Sequence, residues 1–326
     1  MDDGGEAPGG CHGGWMRTLL ERPVADDDLL TAASARASGL TPDDLARGVR
    51  RGELHRVRRG VYCRAGTWAG AAPAAQHLLR VRAAALALGT PTFSHRSAAA
   101  AWGLPVLGAW PADVDVLVHG ARGGRSSRGV RRRAAAPGVR VTARAGVVVT
   151  DLARTVVDLA ATEPFPSGVV ATDHALRELG LPPSEAEDLL SARGAAPGVR
   201  RAREVLAFAD RRSESPGESL SRVRLRELGA PPPVLQHELL DRDGFIGRVD
   251  FWWPGQRVVG EFDGRLKYRA DEVADGRPAE DRVWAEKLRE DRMRAHGVRV
   301  VRWTWDDALR ADPLRARLAA AGLVPR

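Results

Sequence analysis

The chain has 326 residues, 44% of them hydrophobic, and a formal net charge of +8 at pH 7; that length predicts two or three domains, and the charge favours a polyanionic partner, nucleic acid first. Two cysteines, Cys11 and Cys63, exclude a disulfide framework and a Cys-rich zinc site. No apolar run is long enough to span a membrane and no signal peptide is legible, so a cytoplasmic protein is expected. All but two of the 50 cationic side chains are arginine, the exceptions being Lys267 and Lys287. GC-rich coding also produces that bias, so the charge by itself does not decide function.

Residues 1–23 are expected to be a disordered tail, Gly-rich and acidic at first, with Met16 the more natural start. Residues 24–66 read as one compact unit. After Asp26-Asp27-Asp28, the spacing of Leu29, Leu30, Ala33 and Ala37 predicts a helix ending at Gly39. Thr41-Pro42-Asp43-Asp44 supplies an N-cap, a proline at the first helical position and two early acids. The helix that follows, Leu45 to Arg51, carries Arg47, Arg50 and Arg51. Leu54 to Tyr62 alternates as a β-ribbon bearing Arg56, Arg58 and Arg59. Between Arg47 and Arg64 there are seven arginines and a single acid, Glu53. Helix, turn, basic helix and basic hairpin is the order of a winged helix-turn-helix, with the second helix in a major groove and the wing along phosphate. A solvated basic face is the alternative.

Residues 67–180 read as α+β, with a helix over 75–88, another from Phe93 to near Gly103, and a buried-type strand at Val114–Val118. Residues 122–144 hold eight arginines and no acid, a loop and strand pair placed near phosphate or simply solvated. Gly146 to Thr150 is a strand, and Asp151 caps the helix after it. His95 reads as a capping or core histidine more readily than as a catalyst. Residues 181–212 form a helical linker.

Residues 213–326 predict the order αβββαβ, a mixed sheet flanked by helices. Pro254-Gly255 is a turn dipeptide. With an even-length loop, Trp252 faces Arg257, Asp250 faces Val259 and Arg248 faces Glu261. Alternation then puts Asp250, Glu261 and Asp263 on one face and Phe251, Trp253, Val258, Gly260 and Phe262 on the other, which is the core. Asp250 and Glu261 become diagonal neighbours, backbones roughly 7–8 Å apart. Paired carboxylates suit one hard ion, Mg²⁺ or Mn²⁺, which binds one or two carboxylates together with substrate phosphate and generates hydroxide near neutral pH. Lys267 is placed to stabilise developing charge. The alternative is salt bridging of these acids to Arg248, Arg257 or Arg265. Glu218, three after Ser215, is either a capping-box residue or a further metal ligand, and Arg222 and Arg224 are candidates to touch phosphate. Lys287 and Asp291 have the spacing of a helical ion pair.

Two family resemblances follow from these residues. Glu218-Ser219 with Arg222, Asp250, Glu261-Phe262-Asp263-Gly264, and Asp291-Arg292 through His296 to Trp303 together resemble a PD-(D/E)xK nuclease-fold domain of the compact branch similar to very-short-patch-repair endonucleases. That resemblance implies a restriction-endonuclease-like fold, metal-binding roles for Asp250 and Glu261, and a helix-glutamate role for Glu218. Asp263 stands where the family lysine usually does, and Lys267 is the candidate to replace it in space. The N-terminal part, through Gly39-Leu40-Thr41, Arg51 to Leu54, Val57 to Tyr62, Ser94 to Ala99 and Ala153 to Asp158, resembles AbiEi-type antitoxins of type IV toxin–antitoxin systems, which implies promoter binding and a cognate toxin.

The sequence therefore predicts an α+β multidomain protein: a winged helix-turn-helix, an antitoxin-like α+β domain, and a nuclease-like mixed sheet. It favours a DNA-binding, metal-dependent endodeoxyribonuclease acting in phage defence or DNA repair. The alternatives are a non-catalytic, antitoxin-like transcriptional regulator with a degenerate nuclease fold and, more weakly, a nuclease acting on RNA.

Overall fold

The computed structural model describes residues 29–118, 129–135, 138–264 and 279–324. The expected tail, the acids at 26–28, Lys267, and Arg122, Arg125 and Arg128 of the basic block lie outside the described residues. The structure is mixed α and β, with several small sheets. Contacts divide the described residues into two compact units, one drawn from positions 29–93, 109–118, 129–135 and 141–149, the other from 94–108, 138–140, 150–264 and 279–324.

In the first unit, β1 (Leu30–Thr31) leads into α1 (Ala32–Ala37) and α2 (Pro42–Arg50), followed by β2 (Leu54–Arg58) and β3 (Val61–Arg64). The strands form one antiparallel sheet in the order β1-β3-β2. The sequence places Leu30 in a helix. Instead it pairs with Tyr62 as strand, because Thr31 and Ser34 close a capping box that starts the helix at Ala32. Ala35, Leu40, Leu45 and Leu54 are the core of this region. A Cβ on Gly48 would sit 3.0 Å from Leu54 Cδ1, so the small residue lets α2 lie close on β2. The unit continues with α3 (Ala65–Gly70), α4 (Pro73–Leu88), the parallel pair β4 (Val114–Val118) and β5 (Val130–Ala134), and the pair β6 (Val141–Arg144) and β7 (Val147–Thr150). Phe93, fully buried, bridges to both Val116 and Val149.

The second unit starts with α5 (His95–Trp102), α6 (Leu152–Thr162), α7 (Phe165–Glu178), α8 (Pro183–Ala192) and α9 (Val199–Phe208). Asp151 caps α6 through the Arg154 amide, as its position predicts. His95 is buried, with Nδ1 2.9 Å from the Ser94 hydroxyl. Then follow α10 (Pro216–Glu227), β8 (Val234–Asp241), β9 (Gly244–Trp253), β10 (Val258–Asp263), α11 (Ala279–Ala295), β11 (Arg299–Thr304), α12 (Trp305–Arg310) and α13 (Asp312–Ala320). The sheet order is β11-β10-β9-β8, with β10 and β11 parallel across α11 and the other pairs antiparallel. One face packs Phe251, Trp253, Val258 and Trp303 against Leu220, Leu314 and Leu318. On the other, Trp252 and Val259 meet Met293 and Val298. Buried indole N–H groups find acceptors, Trp253 at the Pro231 carbonyl and Trp303 at the Ser221 hydroxyl, each at 2.7 Å.

Arg222 is mostly buried. It donates to Asp173, the Ser213 hydroxyl and the Phe208 carbonyl. Arg224 binds the Ala308 carbonyl and Glu227. Burial pushes the Asp173 carboxyl up to about 6 despite Arg222 beside it.

Candidate functional site

The first candidate surface is basic. Thr41 caps α2, and Asp44 returns the interaction by accepting from the Thr41 amide at 2.8 Å and its hydroxyl at 2.6 Å. These bonds, the Thr41 hydroxyl first, with Arg47 adding to them, hold the Asp44 carboxyl down to about 2. With Leu45 and Gly48 turned inward, Arg47, Arg50 and Arg51 are exposed along the end of the helix. Arg47 ion-pairs with Asp44, and Arg51 lies 4.0 Å from Glu53. The β2–β3 ladder slips between Arg56 and Arg58, a bulge that precedes the turn at Gly60, where φ is +75°. Arg56 and Arg59 are exposed, and Arg58 donates to the Gly129 carbonyl at 3.4 Å.

Arg80 on α4 and the aromatic stack beneath it carried no sequence signal. The Arg80 guanidinium lies 4.7 Å from the Trp68 ring centroid, and Trp68 stacks on His55 at 4.1 Å with planes 9° apart. Burial, then the charge of Arg80, lowers the His55 pKa and favours the neutral imidazole. Only side-chain proximity created by the fold reveals this group.

The second candidate surface is acidic. Val258 pairs with Trp253, Val259 with Trp252 and Gly260 with Phe251. The loop is even in length, as the sequence reading requires, but the pairing is offset by two residues. Continuing the ladder puts Asp250 opposite Glu261 rather than diagonal to it, and Arg248 no longer faces Glu261. Asp250 Oδ2 accepts from the Phe262 amide at 2.8 Å. Gln236, opposite Asp250 in the β8–β9 register, donates its side-chain amide to Glu218 Oε2 at 2.8 Å. Glu218 is buried and accepts further bonds from the Ser215 hydroxyl and the Glu214 amide, both at 2.8 Å.

The partners of Glu261 are not the local arginines the sequence offers. Its two oxygens accept from Arg289 on α11 and, at 2.9 Å, from Arg302 on β11. Arg302 also binds Glu286 and Glu290. Burial works against the Arg302 charge, yet Glu261 and Glu290 hold its pKa above the usual value. Arg248 pairs instead with Glu214, Arg257 with the His296 carbonyl, and Lys287 lies over Trp284. Both Glu218 oxygens and both Glu261 oxygens are thus hydrogen-bonded. Among the described residues, no group of three or more His, Cys, Asp or Glu side chains is placed to hold a metal ion. As arranged, Glu218 and Glu261 are engaged by guanidinium, hydroxyl and amide donors. Asp263 closes β10 opposite Thr304, half-buried.

The basic surface falls within a stretch that is similar to a known family model. Residues 24–65 match the family model for "Transcriptional regulator, AbiEi antitoxin". Two Mycobacterium tuberculosis proteins, "Uncharacterized protein Rv2248" of strain ATCC 25618 / H37Rv and "Uncharacterized protein MT2308" of strain CDC 1551 / Oshkosh, are each 33% identical over 184 residues, 56% of this chain. The chain spans 64% of the length of these curated relatives. The crystal structure of the RV2827C protein from Mycobacterium tuberculosis aligns at a TM-score of 0.39 and 16% identity, covering 70% of this chain and 87% of that one. Among the described residues, no helix is long and apolar enough to cross a membrane.

Proposed function

We propose that this protein is a DNA-binding transcriptional regulator of the antitoxin type. Residues 24–66 act as a winged helix-turn-helix, α2 entering the major groove and the β2–β3 hairpin tracking phosphate. The observation that carries this reading is the placement of Arg47 and Arg50 on α2, Arg51 at its C-cap, and Arg56, Arg58 and Arg59 on the adjoining hairpin, within the segment that matches the regulator family model. A cognate toxin is the second partner this reading implies.

The test is fluorescence anisotropy of the full chain with a labelled duplex from upstream of its own reading frame. Wild type is expected to bind with an affinity that falls steeply as salt rises. Arg50→Ala is expected to cost about 1–3 kcal/mol if the residue reads a base, and Arg59→Ala to lower the salt slope by about one. Salt-independent or undetectable binding by wild type at 50 mM salt, roughly the low end of the range over which such complexes are compared, overturns the proposal.

A second reading has two features in its favour. The αβββαβ order, and the position of Asp250 and Glu261 one residue beyond the paired Phe251 and Gly260 of β9 and β10, suit a nuclease-like domain over 213–326 that uses Mg²⁺ or Mn²⁺. It requires Glu261 to leave Arg289 and Arg302, and Glu218 to leave its present donors, before an ion enters.

A further inference from the structure

We propose that the cleft between the β2–β3 hairpin and α4 is a phosphate-binding site, filled by DNA backbone beyond the winged region and anchored by Arg80. The inference rests on the regulator reading and extends it to an element outside residues 24–66.

The cleft encloses about 700 Å³. Four of the residues lining it are Arg56, Arg58, Arg59 and Arg80, and the others are apolar or glycine. Two acids lie near it, one at its edge between the lining residues Ala112 and Val114 and one paired with an arginine. Asp113 accepts from the Gly129 amide at 3.1 Å, and Asp115 pairs with Arg133. Among the described residues no carboxylate pairs with Arg80. Its guanidinium is partly withdrawn from water, which disfavours the charge and makes an anionic partner more favourable than at an exposed arginine.

Its place over Trp68, itself stacked on His55, restrains the Arg80 guanidinium before any ligand arrives. A held guanidinium loses less entropy on binding than a free one, and it presents parallel N–H donors to two oxygens of one phosphate. Arg58, bonded to the Gly129 carbonyl, ties the hairpin to the start of β5, where Arg131 and Arg132 are exposed. The cationic surface therefore runs from the hairpin through the cleft to β5, with Asp113 at its edge held by the Gly129 amide. A backbone lying along the hairpin would deliver a phosphate to the cleft, whereas a free phosphate compound would bind there alone.

The experiment compares full-length wild type, Arg80→Gln, Arg80→Lys and Arg50→Ala on two duplexes, the upstream one and one of unrelated sequence, with thermal melting as a check of folding. Arg80→Gln is expected to weaken both duplexes about tenfold at low salt and to reduce the slope of log K against log salt by about one, because it removes one phosphate contact. Arg80→Lys should keep the slope and lose roughly threefold, since the charge stays and the fork goes. If Arg80→Gln melts early, Arg80→Lys decides, and unchanged affinity for both duplexes overturns the site. Arg80 variants that bind like wild type while Arg50→Ala is weakened also overturn the site and leave the regulator reading standing. Failure of wild type to bind either duplex removes the regulator reading itself. Titration with inorganic pyrophosphate forms the other arm. Tight pyrophosphate binding abolished by Arg80→Gln, with DNA affinity unchanged, assigns the cleft to a free phosphate ligand and overturns the backbone assignment.

Discussion

Thr41 decides where the basic helix begins, and Asp44 reports on it. Replacing the cap by alanine, Thr41→Ala, is expected to cost about 1 kcal/mol in chemical denaturation. Because the Asp44 carboxyl is held down to about 2, mainly by the Thr41 hydroxyl, its contribution is fully present above the unfolded carboxylate pKa and is lost as pH falls through 2. In Thr41→Ala the Asp44 titration should move back up toward the ordinary aspartate value by NMR, and an unmoved titration contradicts the capping account. His55 gives a matching test. Its pKa is lowered by burial and then by Arg80, so its contribution falls as pH drops through the ordinary histidine value. Arg80→Gln should raise the His55 titration toward that value. Thr41 and Asp44 were legible as a cap because capping is local. The Arg80–Trp68–His55 stack was not, since three residues on three elements meet only after the hairpin packs on α4.

Strand β10 shows how packing governs an element. Gly260 lies between two indoles, and a Cβ there would meet Trp303 at 2.4 Å and Trp253 at 2.9 Å. Gly260→Ala is therefore expected to destabilise the second unit by about 1–3 kcal/mol through overpacking, measured as a lower denaturation midpoint with an unchanged slope; unaltered stability contradicts this close packing. The alternation of Phe251, Trp253, Val258 and Phe262 identified one of the two packed faces, because period two depends only on strand geometry, and missed that Trp252 and Val259 are buried on the other. The two-residue offset of the hairpin was not readable. Both offsets keep the same residues inward, and the observed one follows from the pairing of Trp253 with Val258. Likewise Leu30 looked helical by spacing, and the Thr31–Ser34 capping box overrode the pattern.

At the scale of the whole molecule, the regulator and nuclease readings separate by chemistry. Supercoiled DNA incubated with Mg²⁺ and wild type, Asp250→Ala or Glu261→Ala is expected to be bound by all three. Nicking by wild type that both variants lose would establish the nuclease reading, and equal behaviour of all three removes it. Arg289→Ala should loosen Glu261 by taking away one of its two cations, costing roughly 3–5 kcal/mol if the pair behaves as buried, read from the melting of the second unit. A cost near zero would show the pair to be solvent-screened. The sequence by itself determined the basic character of residues 47–64, the elements that carry it, and the order of strands and helices from 213 onward, since charge, capping and periodicity are local properties. The tertiary structure alone decided what those groups meet. Glu261 is held by arginines 28 and 41 positions away, and Arg80 reaches the basic hairpin from a separate helix, because contacts between distant segments depend on how the elements pack and not on their spacing along the chain.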